Sequence, residues 1–232
     1  MMSKGRFCAG VAGMILASAC APSVSPLVRQ QCYDPDARLA AVLKPLEARQ
    51  AQGCPSTADC EALKREVERL ALVCPGHVPT LMANAVLAYD GRRREIAQPY
   101  LDGILAMAPV QPDAAVLRAR IAIEDGNLSF ARRLLTQQIR LSPAHAGLHE
   151  AYAAVLYLDR QWANAIRELT AAQELGAPLW RVSYHLGLVA EAQGQIDEAR
   201  RRYTDALEAN PGWPIAQARL TGLGLPPATV IR

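Results

Sequence analysis

The stretch LGLVAEAQGQIDEARRRYTDALEANP, Leu186–Pro211, places Leu186-Gly187 before a turn at Gly194, Ala199, Tyr203 and Ala206 after it, and Pro211 at its end. The same layout recurs upstream: from Val78 onward the chain lines up with itself every 34 residues. Ala97, Ala131, Ala165 and Ala199 form one column, Leu101, Leu135, Leu169 and Tyr203 a second, and Pro109, Pro143, Ala177 and Pro211 a third. A fourth, Ala85, Ala119, Ala153 and Gly187, is small in every unit. Small residues at fixed places let two helices approach closely, a bulky residue one turn on fills the gap, and proline ends the second helix. One unit cannot bury its own apolar face, whereas stacked units can. The pattern therefore predicts an all-α, right-handed solenoid of helix pairs.

These columns resemble the tetratricopeptide repeat. Units 78–111, 112–145, 146–179 and 180–213 cover more than half of the 232 residues, and 180–213 matches best. Arg118 stands where the repeat usually has Leu, and Gln138 where it has a small residue. Residues 78–111 depart furthest, with Asn84 at the Leu place and Pro99 inside the expected second helix. The resemblance implies an inner groove lined by the first helix of each unit. Carried over place by place, its groove residues are Met82, Val86, Tyr89 and Asp90; Asp113, Val116, Arg120, Ile123 and Glu124; Glu150, Ala154, Tyr157 and Leu158; and Arg181, Tyr184, Leu188 and Glu191. Tyrosines beside mixed charges and aliphatics suit a protein segment that is part apolar and part polar. Members that clamp a chaperone's C-terminal carboxylate carry Lys and Asn where Met82 and Val86 stand, so that mode is not expected. After Pro214, IAQARLTGL predicts a short helix covering the last unit, and residues 214–232 read as this cap and a tail.

Residues 1–19 have the layout of a secretory signal: Lys4 and Arg6, an apolar run from Phe7 to Ala19 too short to span a bilayer, and small residues before a cut. Ala17-Ser18-Ala19-Cys20 resembles the lipobox of bacterial lipoproteins, whose cysteine is acylated and becomes the new N-terminus. Leu16 lies one place further from the cysteine than in most such motifs. The resemblance implies a lipid on Cys20. Because Ala21 is not the Asp that retains such proteins at the inner membrane, it also implies the periplasmic face of the bacterial outer membrane. The alternative is ordinary cleavage at Ala19 or Ala21, giving a soluble periplasmic protein. Residues 20–31, with Pro22 and Pro26, read as a tether. Loss of Lys4 and Arg6 leaves 23 Lys and Arg against 22 Asp and Glu, a balance that predicts no nucleic-acid or polybasic membrane contact. The two Arg-Arg-Arg runs, 92–94 and 200–202, read as solvated helix faces.

An exported chain with Cys32, Cys54, Cys60 and Cys74 confined to one end predicts disulfides. Residues 36–51 and 58–73 show helical periodicity about QGCPST, so segment 32–77 is expected to be a helical hairpin. An antiparallel hairpin brings Cys32 near Cys74 and leaves Cys54 and Cys60 beside the turn, which favours the nested pairs Cys32–Cys74 and Cys54–Cys60. Chain entropy makes the outer bridge worth about 3–4 kcal/mol. Pro45 is expected to kink or interrupt the first helix.

Catalytic patterns are absent from the sequence. His149-Glu150 is followed by Ala153 where a zinc helix motif needs a second His, and Gly222-x-Gly224 lacks the rest of a phosphate loop. His77, His145, His149 and His185 fall on separate stretches, and Trp162, Trp180 and Trp213 are expected to pack unit on unit. No cofactor, metal or small-molecule substrate is expected. The reading is a non-catalytic, membrane-anchored adaptor that holds an envelope protein in its groove. Resemblance to small repeat lipoproteins points to assembly or localisation of an envelope machine, with secretin, pilus or motility assembly favoured over barrel assembly or wall-hydrolase control. A self-associating structural module is the alternative.

Overall fold

The computed structural model describes residues 32–51 and 58–224. The signal, Cys20, the tether, Cys54 and the tail beyond Gly224 lie outside the described residues.

Eleven α-helices and no strand occur among the described residues. The hairpin is α1 (Pro35–Ala51) and α2 (Ala58–Val73). Four pairs follow: α3 (Val78–Asp90) with α4 (Arg94–Met107), α5 (Pro112–Glu124) with α6 (Leu128–Leu141), α7 (Ala146–Leu158) with α8 (Trp162–Glu174), and α9 (Leu179–Ala192) with α10 (Ile196–Ala209). A short α11 (Pro214–Gly222) closes the series. Each helix packs on its neighbours in sequence, and first helices also touch across units, α5 on α7 and α7 on α9. This is the stacked-pair solenoid that the columns require.

The alanine column is fully buried at Ala97, Ala131, Ala165 and Ala199, and so, within 1 %, are Leu101, Leu135, Leu169 and Tyr203. The two columns are coupled in the last unit. A Cβ on Gly187 would stand 2.5 Å from Cε1 of Tyr203, so the larger ring is accommodated only because the facing residue has no side chain. Turns inside the units form another column: Arg92, Gly126, Arg160 and Gly194 all have φ between 58° and 75°. A left-handed residue there reverses the chain in three residues, and glycine takes that conformation without a Cβ penalty.

Residues that break the repeat pattern bridge units. Asn84, buried in α3, donates through Nδ2 to the carbonyl of Val67 on α2 at 2.9 Å. Gln138, buried in α6, donates to the Pro109 carbonyl at 2.9 Å and accepts from the Gln111 amide at 3.1 Å. Arg118 reaches Asp102 at 2.7 Å and lies 4.5 Å from the Phe130 ring centre. A buried polar group costs stability unless paired, and each of these is paired across a helix junction.

In the hairpin, Leu39, Val67, Leu70 and Cys74 form a core that extends to Ala83 and Leu87 of α3. Cys32 and Cys74 are joined by a disulfide, Cα to Cα 5.0 Å. Cys60 is fully buried and also disulfide-bonded. Pro45 does not interrupt α1, which runs unbroken from Pro35 to Ala51. Leu39 and Leu46, one on each side of it, are buried, and that packing outweighs the one lost backbone bond; Ala41, whose carbonyl the proline leaves without its amide partner, is exposed to water. Pro99 likewise sits inside a continuous α4. At the other end Ala216 and Leu220 of α11 pack with Tyr203, Ala206 and Leu207, and Arg200 donates to the Leu223 carbonyl at 2.7 Å.

Candidate binding groove

The groove residues inferred from the sequence divide into two groups. Most of the charged and phenolic ones are engaged with the next unit. Tyr89 on α3 donates a short hydrogen bond to Glu124 on α5, with Arg94 also on Glu124 at 3.4 Å and the Arg120 guanidinium 6.0 Å from the Tyr89 ring centre. Burial pushes the Tyr89 phenol up, and the Glu124 carboxylate adds to it. Asp113 at the start of α5 faces His145, the residue before α7, at 3.0 Å. Glu150 on α7 accepts from Arg181 on α9 at 2.7 Å and lies 3.4 Å from His185. Its side chain is only 12 % exposed. Burial pushes the Glu150 carboxyl up, but the His185 hydrogen bond and the Arg181 charge outweigh it and hold it below the usual value.

Glu191 is turned to its own unit, accepting from Tyr203 at 2.6 Å and facing Arg219 of α11 at 3.3 Å. Burial and that carboxylate push the Tyr203 phenol strongly up. Tyr184 stacks with Trp213 at 4.6 Å and Tyr203 at 5.6 Å, and Trp213 in turn meets Trp180 at 4.6 Å. Met82 packs on the core of the first unit, and Val116 and Ile123 on that of the second. Asp90 is exposed.

A smaller, apolar group comes together between α7 and α9. Ala153, Ala154, Tyr157, Leu158, Leu169, His185, Leu188 and Val189 line an open cavity of about 160 Å³. Position 154, on its wall, is alanine where the neighbouring units carry Arg120 and Leu188. Leu158 at its rim is 46 % exposed, and Tyr157 is braced by Trp162 with ring centres 5.5 Å apart. The ion pair of Glu150 and Arg181 stands on the same two helices, with His185 shared between pair and cavity. His185 was not among the groove residues inferred from the sequence, since the groove-facing places of the repeat skip it. Its signal was spacing: it lies four residues after Arg181 and shares the same carboxylate.

The four histidines are not brought into one site. Each meets a different partner: Asp36 for His77, Asp113 for His145, Glu168 for His149 and Glu150 for His185. Among the described residues no group of three or more His, Cys, Asp or Glu could hold a metal ion. No helix among them is long and apolar enough to cross a membrane.

Comparison with known proteins agrees with the repeat fold. Tetratricopeptide repeat protein 36 from Bos taurus is 35% identical over 114 residues, 47% of this chain and 60% of its own length. The protein of the same name from Homo sapiens is 30% identical over 135 residues, 56% of this chain and 70% of its own. The aligned part thus spans less than two thirds of the bovine relative. Among solved structures, a thermophilic TPR protein from Thermus thermophilus superposes with a TM-score of 0.67, covering 80% of this chain and 98% of its own at 19% identity. Cut9 with Hcn1, from an APC/C hetero-tetramer, gives 0.70 over 82% of this chain and 36% of its own at 13% identity. These last two likenesses concern fold alone. No family model matches the chain. With the 34-residue columns, the stacked helix pairs and the human relative in agreement, the chain belongs to the tetratricopeptide-repeat family.

Proposed function

We propose that this protein is a non-catalytic adaptor, held at the periplasmic face of a bacterial outer membrane through a lipid on Cys20. Its repeat groove binds a segment of an envelope protein, and it serves assembly or localisation of an envelope machine, with a secretin, pilus or motility complex favoured. The observation that carries the binding role is the apolar cavity between α7 and α9 beside the Glu150–Arg181 pair. A cavity of this size takes one aliphatic or aromatic side chain, and the flanking ion pair offers hydrogen bonds to the polar backbone around it. The anchor is supported by Ala17-Ser18-Ala19-Cys20. A cysteine nucleophile among the described residues is disfavoured, because all three described cysteines are in disulfides and none offers a thiolate.

The test is a pull-down from bacterial envelope membranes with the lipidated chain, comparing the parent with Ala154→Leu, which fills the cavity, and Tyr157→Ala, which opens it. Loss of a partner in both variants is expected; retention of every partner by both would sink the groove reading. Light scattering on the purified protein should show a monomer, and a stable dimer would favour the self-associating module.

A further inference from the structure

We propose that the solenoid lies with one long edge, the one carrying the loops between units, against the lipid surface. This orientation rests on the anchor at Cys20 proposed above. Helices reverse at short turns, so every second helix ends and every first helix begins along one edge. The turns inside units run along the other. The two edges differ in chemistry. The loops between units read Cys74-Pro-Gly-His77, Ala108-Pro-Val-Gln111, Ser142-Pro-Ala-His145, Leu175-Gly-Ala-Pro178 and Asn210-Pro-Gly-Trp213, without one Asp, Glu, Lys or Arg. The opposite turns include Arg92-Arg93, Asp125 and Asp159-Arg160.

Large apolar side chains crowd the edge with the uncharged loops. Leu72, Met107, Leu141, Leu175, Leu179 and Ile215 are between 38 and 75 % exposed. Met107, Leu141 and Leu175 occupy the same place in successive units, at or just past the end of the second helix, so they form a row along the solenoid. Arg140 and Glu174 flank this row with opposite charges, and Asp113 and Arg181 on the adjoining helix starts are held by His145 and Glu150. An apolar row with charges of both signs at its border, among them exposed Asp36 bonded to His77, suits the boundary between headgroups and acyl chains better than a purely electrostatic surface.

The chain's entry point selects the same edge. The disulfide fixes Cys32 to Cys74, the first residue of the first of these loops, with Tyr33 exposed beside it. Cys32, the residue to which the segment from Cys20 is joined, therefore stands at the apolar edge. Cys32 follows Cys20 by 12 positions, a reach of at most about 40 Å. That length permits several orientations, and the apolar row selects among them.

The test uses the full lipidated chain in vesicles of phosphatidylethanolamine and phosphatidylglycerol doped with chain-brominated phosphatidylcholine. A tryptophan is added at Leu175→Trp or, on the opposite edge, at Gln193→Trp, and each is compared with the parent. Flotation of the parent but not of Cys20→Ser reports the anchor separately. The expected result is loss of the added fluorescence in Leu175→Trp and none in Gln193→Trp. A floating protein with neither position quenched, or both quenched alike, overturns the orientation while leaving the anchor. A blue shift at Leu175→Trp without quenching places protein on this edge instead of lipid and overturns it too. Failure of the parent to float removes the anchor and this orientation together.

Discussion

At the scale of single residues the pair Gly187 and Tyr203 shows how the repeat tolerates variation. Three units put alanine opposite leucine; the fourth puts glycine opposite tyrosine, keeping the joint volume of the pair. Gly187→Ala should cost about 1–3 kcal/mol in denaturant unfolding, and Gly187→Ala with Tyr203→Leu should recover much of it by restoring the pairing of the other units. Additive costs in the double variant would contradict this. Gln138 sets a second case: Gln138→Ala strands the Pro109 carbonyl and the Gln111 amide and is expected to destabilise by about 1–3 kcal/mol, although alanine is nearer the usual repeat residue. The columns were legible because repetition displays them. The partners of Asn84, Gln138 and Arg118 were not, since each lies in another helix and no spacing rule reaches it.

For elements, the turn column gives a direct expectation. Arg160 holds φ 59° at a place where Gly126 and Gly194 stand in two other units. Arg160→Gly should raise the melting temperature slightly, with a gain of up to about 1 kcal/mol, because the left-handed penalty falls by more than the added chain entropy. A second expectation concerns the contact of α7 with α9. The Glu150 carboxyl titrates below its ordinary value of 4.5, so its contribution is complete above that pH and is lost as pH falls through the folded value. Glu150→Gln should therefore flatten the acid limb of the stability curve below pH 4.5, and an unchanged limb would show that the pair contributes nothing. The two hairpin helices followed from periodicity almost to the residue, 36–51 against Pro35–Ala51 and 58–73 as read. Within the groove, the resemblance gave Tyr157, Leu188, Tyr184 and Glu191 the same groove-facing role, and nothing in the sequence marked a cavity beside the first two. Tyr184 and Glu191 are turned inward by Trp213 and Tyr203, which come from later elements.

Over the whole molecule, each unit depends on its neighbours, so the two ends need different solutions. At the C-terminal end α11 covers Tyr203, Ala206 and Leu207. Truncation after Asn210 should lower the melting temperature and let the amides of α10 exchange with solvent ahead of those in α6, a gradient readable by hydrogen exchange. The opposite end is closed covalently, and this has a mechanical consequence. Tension applied between the chain before Cys32 and the repeats crosses the sulfur bridge to Cys74 and enters α3 directly, so α1 and α2 carry no load. In single-molecule stretching the oxidised protein should extend without any step from this loop. Reduction should release up to about 140 Å of hidden length from the 42-residue separation.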